Sequence, residues 1–353
     1  MKGTPLRIGM IAPPWLPVPP PLYGGTESII DRLACAMHAA GHDVLLFTTA
    51  DSCCPVPKQW VLQRADSVRI GMAVVEMRHL LHAYEAMLKW GADIVHDHTT
   101  VGPLYAQRFP GLPVVTTNHG PFNDDLRDIY RAAADHAGII CISRNQRDSA
   151  PEIPVARVIH HGLDPEAFPV GKGDGGYFAF LGRMTPDKGA KEAACVAAQA
   201  GVSLKIAAKM REPAEVEYFE EQVRPCLSDR IEYIGEVGGP EKLELLGGAV
   251  ALLNPIKWAE PFGLVMIESL ACGTPVVAFP EGAAPEIIDD GVTGFLCDDD
   301  EQMAKTLECV GDLDRAACRA AVEGYFSTAR MVSEHLEVYE ELIKLRGAGV
   351  APR

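Results

Sequence analysis

Short apolar runs ending in polar tips recur along this chain, and stretches of helical periodicity alternate with them. That rhythm is the strongest constraint on its fold, because strands separated by helices form parallel sheets covered on both faces. Residues 6–12 read as a buried strand, 28–40 as an amphipathic helix closed by Gly41, and 44–47 as the next strand. Strands are expected at 92–98, 113–120, 138–142 and 155–161, with helical stretches at 70–90, 101–108 and 124–135. Residues 165–175, with three glycines, read as a linker. A second series follows, with strands at 177–181, 202–208, 231–235, 249–254 and 276–278. Helices are expected from Lys242 to Leu246, over about 300–310 and over 312–322. A chain of 353 residues suits two domains, each able to bury its own core. The expectation is an α/β protein of two doubly wound parallel-sheet domains, residues 1–165 and 166–328. The last helix, 329–345, carries a stripe of Met331, His335, Val338, Leu342 and Leu345 and is expected to cross back, so that 329–353 joins the first domain.

The formal net charge of −16 argues against nucleic acid or an anionic membrane surface as a partner. Residues 1–165 hold 14 Lys/Arg against 16 Asp/Glu, and the remainder 18 against 32. An anionic ligand in the second half therefore needs well-placed cations. Ten cysteines without a C-x-x-C spacing disfavour zinc and redox motifs. Cys35, Cys141, Cys195 and Cys272 read as small hydrophobes and Cys53-Cys54 as loop residues, in a reducing, cytoplasmic setting. The apolar run 8–12 is too short for a signal sequence, and no run reaches the roughly 20 apolar residues of a membrane span.

Doubly wound sheets bind ligands at the carboxyl ends of their strands, so the polar tips matter most. The first is long and proline-rich, 13–23, and ends in Gly24-Gly25-Thr26-Glu27, where glycines would let backbone approach a ligand. It is not G-x-G-x-x-G, which counts against a dinucleotide-dependent dehydrogenase. His96 and His98 are assigned to opposite faces of their strand, hence not to one site or a metal pair. His119, at a strand end beside Asn118 and Gly120, is a functional candidate, whereas His160-His161 read as structural. In the second half, Arg183 and Lys188 sit in a strand-to-helix turn between Gly182 and Gly189, a fork and a point charge suited to a diphosphate. Lys209 tips the following strand. The stretch 258–277 reads as loop, helix and strand. Glu260-Pro261-Phe262 leads into a helix starting near Gly263 with Leu264, Ile267, Leu270 and Ala271 buried, and Gly273 and Pro275 close it. Glu260 and Glu268 thus flank a helix N-terminus, whose free N–H groups attract anions. Asp298-Asp299-Asp300 reads as a solvated loop, and no acidic cluster marks a metal site.

Together, Gly24-Gly25-x-Glu27, Asn118-His119-Gly120, Gly182-Arg183-x4-Lys188-Gly189 and Glu260-x7-Glu268 resemble the family 4 glycosyltransferases of the GT-B fold, in the right order over nearly the whole chain. The resemblance implies two facing Rossmann-like domains with a deep cleft between them, an acceptor-side first domain and a donor-binding second. It implies a retaining hexosyltransferase that uses a nucleoside-diphosphate sugar as co-substrate and no catalytic metal or other cofactor, with UDP-sugar placed ahead of GDP- and ADP-sugars. Arg183 and Lys188 would hold the diphosphate and Glu268 the ribose. Glu260 and the 261–265 backbone (Pro261, Phe262, Gly263, Leu264, Val265) would hold the sugar and phosphate. His119 would meet the sugar near its anomeric carbon, and Gly24-Gly25 would approach the phosphates or acceptor. Lys209 would add a phosphate contact, the base would rest near Gly235 to Val237, and Tyr23, Glu27 and Asn118 would lie toward a small-molecule or saccharide acceptor. Residues 207–210, Ala-Ala-Lys-Met, depart from a stretch where many relatives carry glycines. Self-association into a homo-oligomer is compatible with the sequence. The alternatives are an epimerase or hydrolase of nucleotide sugars, a glycosidase using Glu260 and Glu268 as its acid–base pair, or a non-catalytic sugar-binding protein.

Overall fold

A computed structural model describes residues 4–348. The chain divides into two compact units: unit 1 runs to His161 and resumes at Thr328, and unit 2 spans Gly162–Ser327.

Unit 1 holds seven strands: β1 (Arg7–Ile11), β2 (Asp43–Thr48), β3 (Lys58–Trp60), β4 (Ile94–Asp97), β5 (Val114–Thr117), β6 (Gly138–Cys141) and β7 (Arg157–Val158). They form one parallel sheet in the order β3-β2-β1-β4-β5-β6-β7. The helices are α1 (Gly25–Ala39), α2 (Ala73–Trp90), α3 (Gly102–Tyr105), α4 (Asp124–Ala133) and α5 (Arg144–Ser149). On one face α2 buries Leu80, Ala83, Tyr84 and Met87 against Ile11, Leu45 and Val95. The approach is close: a Cβ on Gly9 would stand 2.5 Å from Met87 Sδ, so the mid-strand glycine is required by helix packing.

Unit 2 holds β8 (Phe178–Arg183), β9 (Leu204–Lys209), β10 (Ile231–Gly235), β11 (Leu252–Asn254), β12 (Val276–Ala278) and β13 (Gly294–Leu296). These also form a parallel sheet, in the order β10-β9-β8-β11-β12-β13. Its helices are α6 (Ala190–Ala200), α7 (Pro213–Tyr218), α8 (Gly239–Gly248), α9 (Leu264–Ala271), α10 (Ala284–Ile287), α11 (Asp300–Thr306) and α12 (Arg315–Gly324). The inner face of α6 is nearly all alanine, with Ala190, Ala193, Ala194 and Ala197 fully buried, which seats the helix close to the sheet.

The last helix, α13 (Thr328–Gly347), belongs to unit 1 and packs against α1 and β5. It buries Met331, Val332, His335, Val338, Tyr339 and Leu342, each large apolar chain contributing about 1.5–3 kcal/mol. Leu342 comes so close to β6 that a Cβ on Gly138 would lie 2.8 Å from it. Leu345, assigned to the stripe, is 37% exposed, and Tyr339 takes its place in the core.

Several local expectations change. Residues 171–175 are not a free linker: Gly171, Gly173 and Gly175 donate backbone hydrogen bonds to Cys272, Gly247 and Gly248. The Arg315 side chain locks this extended segment, donating to the carbonyls of Gly171, Gly247 and Ala249. Helix α1 starts at Gly25 and α8 at Gly239, each three residues earlier than expected, while β3 and α5 carried too few apolar residues to be recognised. Leu264 is half-buried because α9 begins there, and Met266 completes the buried stripe. Cys195 is exposed rather than packed. No helix among the described residues is long and apolar enough to cross a membrane.

In each sheet the strand order reverses direction once, between β1 and β4 and between β8 and β11. The segments leaving these strands are therefore where a ligand site is expected, and they carry Tyr23, Gly24, Lys188 and Glu260, whereas His119, Lys209 and Val237 follow or end the neighbouring strands β5, β9 and β10.

Candidate functional site

In unit 2, Arg183 ends β8 and Lys188 lies in the turn after it, and the loop after β11 carries Trp258 and Glu260. Gly189 joins the two. Its φ is 80°, and a Cβ there would stand 2.5 Å from the Pro255 carbonyl oxygen, so only glycine lets the turn close on that loop. Lys188 is thereby buried; its Nζ ion-pairs with Glu260 Oε1 and lies 5.6 Å from the centre of the Trp258 ring. The Glu260 backbone is pinned as well: its carbonyl accepts from Ala283 N at 3.0 Å. Gly282 makes room for it, since a Cβ there would fall 2.3 Å from that same oxygen.

Four polar atoms in these segments are buried without a hydrogen-bond partner: Arg183 Nε, Thr185 Oγ1, Trp258 Nε1 and Glu260 Oε2. Each unpaired buried group costs about 1–3 kcal/mol, so four of them on two segments at a strand-order reversal mark a candidate site for polar ligand groups. The set matches a phosphorylated sugar: N–H donors and a hydroxyl for phosphate oxygens, a carboxylate oxygen for a sugar hydroxyl. Neither Thr185 nor the Trp258 indole was singled out in the sequence, because each needs its buried, unpaired state to stand out. Arg183 also meets Asp187, at 3.4 Å.

Gly263 caps helix α9, with φ 89° and no side-chain hydrogen bond to the first N–H groups of the helix. Glu260 Oε2 lies 3.7 Å from where a Gly263 Cβ would stand, which places the unpaired carboxylate oxygen beside that helix end. Pro261 and Phe262 are buried behind it, and Val265 is half-buried in the first turn. Glu268, one turn on, accepts from Lys242 Nζ at 2.8 Å. Lys242 lies on α8, so this pair ties α9 to the helix that follows the 235–238 loop, where Val237 is half-buried. Each carboxylate of the Glu260/Glu268 pair thus has its own lysine partner. Lys209 is engaged elsewhere, bonded to Glu212 at 2.6 Å and to Glu215 at 3.3 Å in the capping box of α7. A phosphate contact from Lys209 would have to displace both carboxylates.

In unit 1, β4 and β5 deliver a cluster of imidazoles. His96 and His98 do not face opposite sides. Residues two apart on a strand share a face, and their ring centres lie 3.9 Å apart. His98 Nδ1 and His119 Nε2 share a hydrogen bond at 2.9 Å, and His161 stacks on His119 at 5.4 Å. His335 joins from α13, 5.4 Å from His96, whose nitrogens bond Tyr339 and Thr117. Burial pushes all five well below the usual histidine range, His119 to about 3 and His335 to about 4. His119 is therefore a neutral hydrogen-bonding group at physiological pH, oriented by His98. The Asn118–Gly120 turn is clamped by Gln146 of α5, whose Nε2 donates to the carbonyls of Asn118 (3.0 Å) and Gly120 (2.6 Å). Asn118 Nδ2 is buried and unpartnered.

Gly24 has a packing reason for being glycine: a Cβ would stand 2.7 Å from Pro20, so the proline-rich loop folds onto it. Gly25 opens α1, and Tyr23 just before it is 42% exposed. Glu27, in the first turn, is buried, and desolvation pushes its carboxyl up to about 7.

Comparison with known proteins bears on both units. The Glycosyltransferase Family 4 description matches residues 23–167, and that of Glycosyl transferases group 1 matches residues 175–311. The chain is 28% identical to the phosphatidyl-myo-inositol mannosyltransferase of Mycolicibacterium smegmatis, over 95% of this chain and 90% of that protein. It is similar to AviGT4, a glycosyltransferase involved in avilamycin A biosynthesis, with a TM-score of 0.73 at 27% identity, covering 99% of this chain and all of that one. The fold is also that of Anabaena Alr3699/HepE solved with UDP-glucose, with a TM-score of 0.75 at 17% identity, covering 95% of this chain and 100% of that one.

Proposed function

The chain belongs to the family 4, group 1 glycosyltransferases of the GT-B fold, and on that footing we propose that it moves a hexose from a nucleoside-diphosphate sugar to a hydroxyl acceptor with retention of anomeric configuration. UDP is the favoured nucleotide, on the analogy of the neighbour solved with UDP-glucose. The observation that carries the reading is the Lys188–Glu260 ion pair at the strand-order reversal of unit 2, on the same two segments that hold the unpaired atoms of Arg183, Thr185, Trp258 and Glu260.

Breaking the bond between sugar and diphosphate leaves negative charge on the departing phosphate. In this reading Lys188, the Arg183 guanidinium and the open N–H groups of α9 receive that charge, and no catalytic metal is required. Donor binding exchanges partners: the diphosphate takes Lys188, and the Glu260 carboxylate turns to the sugar hydroxyls. Glu268, poised by Lys242, holds the ribose, with the base along the 235–237 segment. In unit 1, neutral His119 hydrogen-bonds the sugar near its reacting carbon, while Tyr23, Gly24, Gly25, Glu27 and Asn118 contribute the acceptor side. Retention rests on family membership.

The test is a thermal-shift panel of nucleoside diphosphates and their sugars, followed by product analysis with the best donor. A ligand at 100 times its Kd stabilises by about 2.7 kcal/mol, enough to identify the base. Stabilisation by one nucleotide series and glycoside formation with an added acceptor support the proposal. Epimerised or hydrolysed donor as the sole product, at equal rates with and without acceptors, would replace transfer by another reaction.

A further inference from the structure

Behind the loop that leaves β1, three side chains from two segments of unit 1 converge. Asp31 and Cys35 stand one turn apart on α1, and Cys54 comes from the loop after β2. The two sulfurs are 3.9 Å apart, Cys35 Sγ is 3.9 Å from Asp31 Oδ1, and the three ligand atoms all lie within 4.8 Å of one another. Both cysteines are free thiols, Cys54 buried and Cys35 half-buried. Asp31 forms no ion pair among the described residues; its polar partners are the two thiols. A thiol is a weak donor, so the protein gives this half-buried carboxylate no strong partner.

The two 3.9 Å spacings about Cys35 Sγ fit a metal centre better than a disulfide, and the third pair of ligand atoms lies within 4.8 Å. Tetrahedral coordination with metal–sulfur bonds of about 2.3 Å and metal–oxygen bonds of about 2.1 Å sets sulfur–sulfur edges of about 3.8 Å and sulfur–oxygen edges of about 3.6 Å. A disulfide brings its sulfurs to about 2.0 Å. We propose that Asp31, Cys35 and Cys54 bind a thiophilic divalent cation of the zinc class, with water in the fourth position. On binding, each thiol releases one proton and the carboxylate coordinates as it stands, so two protons leave per ion.

The site braces the long loop before α1. Val18, in the middle of that loop, donates its N–H to Ser52 Oγ at 2.9 Å, and its carbonyl accepts from Cys53 N and Cys54 N at 2.9 and 2.8 Å. An ion on Cys54 and α1 joins the segment that grips Val18 to the helix that ends the loop. The sequence hides this, because Asp31 and Cys35 make no motif without Cys54, 19 positions further on.

Cobalt(II) is the probe, added to the full-length protein after chelation and thiol reduction. The wild type is expected to bind one ion per chain with a thiolate-to-cobalt charge-transfer band and tetrahedral visible bands, both abolished by added Zn2+. Cys35→Ser and Cys54→Ser should each cut the thiolate band by half or more and weaken Zn2+ binding at least tenfold. Asp31→Asn should weaken Zn2+ binding while keeping the thiolate band, and Cys195→Ser should bind as wild type. Circular dichroism of each variant separates lost binding from lost folding, and Asp31→Asn removes a ligand without touching the buried thiol. No thiolate band in the reduced wild type, or one of full strength in both cysteine variants, overturns the proposal. So does a Cys35–Cys54 disulfide that forms in air equally fast with and without Zn2+.

Discussion

Lys188→Met separates the structural and chemical roles of the ion pair at the centre of unit 2. Methionine keeps the stem that lies beside Trp258 and deletes the ammonium. The paired side chains are only 11% and 16% exposed, so the change strands the Glu260 carboxylate in a site that water barely reaches. Breaking a fully buried pair costs about 3–5 kcal/mol. The residual exposure of both partners reduces this to about 2–3 kcal/mol after screening, read as a lower urea midpoint at constant slope. Turnover at saturating donor should fall by about 10²–10³, the cost of losing one charge-stabilising group at the leaving phosphate. Glu260→Gln in the same background removes the stranded charge and should recover most of the stability, because the two sites couple directly. Turnover should stay low, since the leaving group still lacks its cation. Urea titrations and initial rates on the two single variants and the double variant complete the cycle. Turnover within threefold of wild type in Lys188→Met, or restored in the double variant, would refute the assignment of Lys188 to the leaving group.

Glu268→Ala should weaken nucleoside-diphosphate binding about tenfold and leave turnover at saturation little changed; calorimetry with unaltered affinity would remove Glu268 from the ribose. His119→Ala should lower turnover, and the wild-type rate should show no His119 inflection between pH 5 and 8, because burial holds that imidazole at about 3; an inflection near 6.5 that vanishes in the variant would contradict this. Folding stability should fall as pH drops below about 6.5. Six buried imidazoles, of His79, His96, His98, His119, His161 and His335, have depressed pKa values, so their contribution is complete above the unfolded value and is lost as pH falls below it. Glu27 and Asp97, raised to about 7 by burial, and Glu76, raised by the same cause, act in the opposite sense, contributing stability below the unfolded carboxyl value that is lost as pH rises through the folded one. The imidazoles outnumber them, so urea unfolding that is flat or more resistant at pH 5 than at pH 7 would count against the buried cluster. Gln146→Ala should release the Asn118–Gly120 turn and lower turnover without moving nucleotide affinity, which rate and calorimetric measurements distinguish.

Much of the fold was legible because doubly wound domains write each buried strand as a local apolar run. Glycines at 189, 263 and 273 punctuated unit 2 where positive φ is required. The parts that were not legible depend on long-range contact. Lys242 became the partner of Glu268 through packing of α8 on α9, across 26 residues. The histidine cluster draws on β4, β5, the segment after β7 and α13. No periodicity announces it, and placing His96 and His98 on opposite faces concealed its first pair. Residues 171–175 looked like a linker because glycine marks flexibility and close backbone approach alike; a Cβ on Gly171 would stand 2.1 Å from the Gly247 carbonyl oxygen. Unpaired polar atoms, which carry the most weight at the candidate site, have no sequence signature.

Calorimetric titration of UDP into the wild type and into Lys188→Met tests the central claim most directly. The account predicts one saturable site per chain in the wild type and a loss of at least tenfold in affinity, about 1.4 kcal/mol, in the variant, with uridine alone binding both proteins equally. Equal UDP affinity in the two proteins, or no binding of any nucleoside diphosphate to the wild type, would contradict it.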